Sequence, residues 1–246
     1  MDRLVYTAAT GARHTMEQQA TVSNNLANAT TTGFRAQLDT FRAVPVVSEG
    51  LPTRVFVVDS TVGSDFRSGP IETTGRPLDI AIRDQGMIAV QSADGSEAYT
   101  RNGSLKVTEN GILQTTSGQT VIGDGGPIAV PPDTRITIAS DGTVSVNDDN
   151  YAPGPANVLG RIKLVNPDTK TLLRGDDGLF RQADGTPAQN DPNVRVVDGA
   201  VEGSNVNPVD SMVNMISLAR QFEMQMSLMK NAENNAAKAT QILALS

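Results

Sequence analysis

The 246-residue chain has no cysteine, no tryptophan and a single histidine. Disulfides, thiol nucleophiles, Cys-based zinc sites and His-cluster metal sites are excluded together. A serine-type triad has only His14 to draw on, and that residue reads as a solvated surface histidine with Glu17 beside it. Aromatic residues make up 4% of the chain, so the core must be built from Val, Ile, Leu and Ala. The net charge of −7 leaves no basic footprint for nucleic acid or an anionic membrane. No run approaches the roughly 18 apolar residues of a membrane span. The opening MDRLVYTAATGARHTMEQQ lacks the apolar stretch of a cleavable leader. The expectation is therefore no membrane insertion and no cleavable signal peptide, so that any export would take another route.

Turn formers are absent from the two ends. Residues 1–36 contain only Gly11 and Gly33 and no proline, and residues 210–246 contain neither glycine nor proline. Between them lie Asx-Gly pairs such as Asp94-Gly95, Asn102-Gly103, Asn110-Gly111, Asp141-Gly142 and Asp177-Gly178, the dipeptides that tight hairpins favour. Short runs rich in Val, Ile and Leu separate these pairs, among them 78–82, 87–91, 104–108, 119–122, 135–139, 143–146 and 161–165. The fold class expected is mainly β with terminal α-helices: an antiparallel all-β central domain plus an N- and C-terminal helical, coiled-coil-like assembly domain. The boundaries read as an N-terminal helix over 1–36, a β-containing connector over 37–76, the β domain over 77–185, a return connector over 186–208 and a C-terminal helix over 209–246. The ends are close to neutral, and the acidity sits in the middle.

Steps of three and four place Val5, Ala8, Ala12, Thr15 or Met16, Gln19 or Ala20, Val22 and Leu26 on one stripe of the first helix, which should stop near residues 28–33. The second helix shows a stronger heptad-like stripe, Met212, Met215, Ala219, Phe222, Met226 and Met229, fading toward Leu243, with Asp210 or Ser211 as the expected N-cap. The two helices can pair with each other, but with one Ala-rich side that pair is marginal, so both are expected to order on assembly and to bury their stripes against other chains as well.

Chemistry is sparse. The adjacent acids Asp148-Asp149 and Asp176-Asp177 lack the spacing of a calcium loop. The sequence GDGG at 123–126 is followed by Pro127 rather than a helix that could hold phosphate. No catalytic, cofactor-binding or metal-binding residue is nominated, and no cofactor is expected. On residues alone, two rivals stay open: a β-fold enzyme using paired acids on glycans, and a fibre or adhesin with trimerising ends.

Three segments carry a family likeness. SNNLANATTTGFR at 23–35, RPLDIAI…GMIAVQ…YTRNGSLKV…GIL in the middle, and EGSNVNPVDSMVNMISLARQFEMQM at 202–226 together resemble the flagellar axial proteins, the rod and hook family. Asn24, Asn25, Leu26, Ala27, Asn28, Thr30, Gly33, Phe34 and Arg35 all match its N-terminal signature. Thr32, where many relatives have Pro, and Met87-Ile88, where many have bulky aromatics, depart from it. The chain lacks the large insertions of hook-type members. MDRLVYTAATGA, LPTR, GPIAV and GDDGLFR are most similar to the proximal rod subtype, with the distal rod subtype as the alternative.

The resemblance implies a structural subunit that stacks helically into the rod crossing the periplasm, its helices lining an inner tube and its β domain facing outward. It implies assembly with copies of itself and with other rod proteins, and export through the flagellar type III apparatus. Asn24, Asn25 and Asn28 would then bond at the helix end, within the chain or to a neighbour. Gly33 would turn the chain at positive φ and Phe34 would dock on apolar surface.

Overall fold

The structure, a computed structural model, describes residues 2–45, 55–132, 134–148 and 157–244. The chain divides into two units. One comprises Met1–Ala29, Ala36–Asp65 and Val206–Ser246; the other comprises Thr30–Arg35 and Phe66–Asn205.

The first unit contains two long helices and a hairpin. Helix α1 runs over Asp2–Ala27, a stretch with no proline and Gly11 as its one glycine. It ends where Asn28 donates both its backbone N–H and its side-chain amide to the carbonyl of Asn24. Helix α2 runs over Pro208–Ala244. Its N-cap is Asn207 rather than Asp210 or Ser211: the Asn207 side-chain oxygen accepts from the backbone N–H of Val209 at 3.0 Å. The cap sits one residue before Pro208 because proline has no N–H to satisfy at the first helical position. The two helices pack against each other along their lengths. The two are thus paired within the single chain. The small residues Gly11 and Ala12 let α2 approach α1 closely. Strands Gln37–Pro45 and Val55–Ser64 form an antiparallel ribbon with a register shift between Thr40 and Phe41.

The second unit is antiparallel throughout its described strands. A nine-stranded sheet is built around Met87–Gln91, which pairs with Glu97–Thr100, Thr120–Gly123 and Leu164–Val165. Thr134–Ile138, Thr143–Asp148 and Asn157–Arg161 form a separate three-stranded sheet. The single run expected over 161–165 is therefore split between two sheets. Ile80–Arg83 pairs with Arg195–Asp198, and Ile71–Thr73 pairs with Ala200–Glu202, so the returning chain closes onto the start of the unit. The core is aliphatic, as the composition required. Ile80, Ile88, Val90, Leu105, Leu113, Val121, Val144, Ile162 and Leu164 are among its fully buried members. Asn102-Gly103 makes no positive-φ turn: a Cβ on Gly103 would overlap the Ile80 carbonyl, so close backbone approach demands the glycine.

Candidate assembly interface

The side of α2 that faces α1 follows the half-buried residues Ser211, Met215, Leu218, Phe222, Gln225, Met229 and Ala232. These steps of four and three form a heptad seam. At its centre Gln225 lies over Gly11, and the Thr15 hydroxyl donates to the Gln225 amide oxygen at 3.3 Å. Thr15 and Ala12 are buried in this seam.

The residues expected at an interface fall into distinct places. Met215, Ala219, Phe222 and Met229 are half-buried, as are Val5, Ala8, Val22 and Leu26, whereas Met16, Met212 and Met226 are exposed. The Leu243 side chain lies outside the described residues. Sequence periodicity passed over Leu218 and Gln225, which stand in the seam, because methionines on neighbouring positions suggest a different phase. It also passed over a second apolar face. Val209, Met212, Val213 and Ile216 are 53–65% exposed. At 100° per residue they cluster on the side of α2 turned away from the seam. Met224 and Leu228 are exposed further along the same helix.

Asn25 is spent within the chain. Its amide donates to the Gln37 carbonyl at 2.9 Å and its oxygen accepts the Gln37 N–H at 2.8 Å, which pins the helix end to the ribbon. Asn24 is exposed. His14 differs from its expected solvation: its side chain is 17% exposed and its Nδ1 lies 3.1 Å from Glu17 Oε2. The Asp148-Asp149 pair lies partly outside the described residues.

The signature's second half belongs to the β-rich unit. Gly33 has φ +70°, and a Cβ there would strike the backbone of Arg101 and Asn102. Both facts require glycine. Its N–H donates to the Glu202 carbonyl at 2.7 Å. Phe34 is buried beneath the guanidinium of Arg174, 4.5 Å from the ring centre, and Arg174 also donates to the Arg35 carbonyl. Burial pulls Arg174 below the ordinary guanidinium range.

Arg35 then enters an ionic cluster that sequence spacing does not reveal. It donates to Glu202 Oε1 at 2.7 Å, and Arg101 donates to Glu202 Oε2 at 2.8 Å. All three side chains are almost wholly buried. The Gly69 N–H also reaches Glu202 Oε1, and Arg101 donates to the Asp84 carbonyl. Burial first, and the neighbouring Arg35 charge after it, hold Arg101 below its usual range against the pull of Glu202. Both guanidinium groups are thus paired to the same buried carboxylate. No group of three or more acidic or histidine side chains suited to a metal ion occurs among the described residues. No described helix is long and apolar enough to cross a membrane.

Known proteins share these features. Residues 5–35 match the family described as flagella basal body rod protein, residues 81–146 the flagellar hook protein FlgE/F/G D1 domain, and residues 197–242 the flagellar basal body rod FlgEFG protein C-terminal region. The flagellar basal-body rod protein FlgF of Escherichia coli strain K12 is 50% identical over the full length of both chains. That of Salmonella typhimurium strain LT2 is 47% identical over the same extent. The rod protein FlgG of Agrobacterium fabrum strain C58 is more distant, 30% identical over 96% of this chain and 97% of its own. Matched along its whole length by rod proteins 50% and 47% identical to it, and by three family segments in the same order, the chain belongs to the flagellar basal-body rod protein family.

Proposed function

We propose that the chain is a structural subunit of the flagellar basal-body rod, of the FlgF type, and that it joins copies of itself and other rod subunits through its paired terminal helices. One observation carries this reading. α2 is apolar on two opposite faces, and α1 covers one of them while Val209, Met212, Val213 and Ile216 remain uncovered. An apolar face left exposed on a helix whose opposite face is already covered suits a second partner. When one patch meets a different patch on the next subunit, the result is an open helical array rather than a closed ring. The acidic, sheet-built unit keeps the assembly solvated. The role asks for position and stiffness rather than turnover, and no side chain is assigned a catalytic part. Passage through the flagellar type III apparatus suits a chain without cysteine, which has no thiols to cross-link on the way.

The test is the double substitution Val213→Asp and Ile216→Asp. Both side chains are exposed, so the variant should melt like the parent. It should be missing from basal bodies purified from cells that carry it as their sole copy, and those cells should not swim. Recovery at the parental level in such particles would refute the proposal.

A further inference from the structure

The chain holds no cysteine and no tryptophan, so the thioethers of its eight methionines are the side chains most open to oxidation. Five of the eight fall between Met212 and Met229 on α2. Their surroundings divide them. Met16 on α1 and Met212, Met224 and Met226 on α2 are 44–61% exposed. Met215 and Met229 are half-buried in the seam against α1, and Met87 in the β-rich unit is only 4% exposed. Oxidation follows access, so a peroxide reaches the exposed group before the methionines that pair the helices.

Among the exposed four, Met212 has neighbours that give its oxidation a consequence. It stands beside Val209, Val213 and Ile216 on the uncovered face, and none of these carries a side-chain donor. A thioether suits such a face because sulfur is soft and only weakly polar. A sulfoxide oxygen is a strong acceptor. In water it is hydrated without disturbing the fold, but under a second apolar surface it loses that water and finds no donor in its place.

We propose that Met212 is an oxidation-sensitive modification site, at which a peroxide closes the uncovered face of α2 to its partner while leaving the fold intact. This rests on the proposed function, in which another subunit covers that face. In the step, a lone pair of Met212 Sδ attacks one oxygen of hydrogen peroxide and the O–O bond breaks. The sulfur is oxidised to the sulfoxide by two electrons, and the peroxide leaves as water once the proton has moved to the departing oxygen. A covered Met212 is out of reach, so the modification acts on subunits awaiting assembly and spares those already placed.

The experiment treats the full-length chain with limiting hydrogen peroxide and locates the sulfoxides by peptide mass spectrometry. Met212 should oxidise at least about tenfold faster than Met87, and the treated chain should melt like the parent. In purified basal bodies given the same peroxide, Met212 should stay unmodified. Met212→Gln keeps a polar oxygen at this position permanently; as the sole copy it should melt like the parent and be recovered in basal bodies about tenfold less, as befits one polar group buried without a partner. Oxidation of Met212 at the rate of Met87, a lower melting temperature after treatment, oxidation of Met212 within the particles, or parental recovery of Met212→Gln each overturns the proposal. The double substitution Val213→Asp and Ile216→Asp tells two failures apart. Its absence from particles beside parental recovery of Met212→Gln strikes the role of Met212 alone, whereas parental recovery of both strikes the proposed function as well.

Discussion

Glu202 holds two guanidinium groups on one carboxylate, and its removal leaves both buried without a counter-charge. Glu202→Gln is expected to destabilise the β-rich unit by about 3–5 kcal/mol, read as a fall in its urea midpoint. A triple replacement by Leu, Met and Met at Glu202, Arg35 and Arg101 should cost much less, because it removes the charges together. Gly33→Ala meets both an unfavourable φ and the backbone of Arg101, so a loss of about 1–3 kcal/mol is expected in the same measurement. Asp177 supplies a pH-dependent contribution. The Arg181 guanidinium bonded to it holds its carboxyl down to about 2. Its unfolded value lies near the usual carboxylate figure of about 3.9, so the stabilisation is complete above that pH and is lost as pH falls toward 2. The side chain is 36% exposed, and solvent screening keeps the effect below about 1 kcal/mol. Asp177→Asn should therefore flatten the acid limb of the unfolding midpoint between pH 6 and pH 2.5. At this scale the sequence was only partly legible. Gly33 and Phe34 announced a turn and a docked ring. Nothing in the spacing of Arg35, Arg101 and Glu202 could announce a triad, because ion pairs across 167 residues of chain obey no local period.

The helices show why periodicity finds an element more easily than its orientation. α1 and α2 were legible because glycine and proline leave both ends and apolar residues return every three or four positions. The phase of α2 was not, because Met212, Val213, Met215 and Ile216 place apolar groups around most of the helix. Only the partner decides which of them turn inward. That partner surface depends on Gly11: a Cβ there would lie 3.0 Å from the Gln225 amide nitrogen. Gly11→Leu should overpack the crossing by about 1–3 kcal/mol and lower the temperature at which helical circular dichroism is lost. The N-cap was misplaced for a related reason. Asp210, Ser211 and Asn207 are all good caps, and Pro208 resolves the choice only once its place as the first helical residue is known.

The two units are each assembled from separated stretches of chain. The β-rich unit takes in Thr30–Arg35 from far upstream. A fragment spanning 30–205 should therefore melt higher than one spanning 66–205, since the shorter piece lacks Phe34 under Arg174 and Arg35 on Glu202. Equal melting temperatures would mean that the short segment adds nothing to that unit.

The path between units has a mechanical result. The backbone passes from one unit to the other four times, at 29–30, 35–36, 65–66 and 205–206. A pull or twist exerted on one unit is thus carried across by four covalent threads in parallel. A single nick at one of them leaves three still fastened, a redundancy that a tandem arrangement of two domains on one tether lacks.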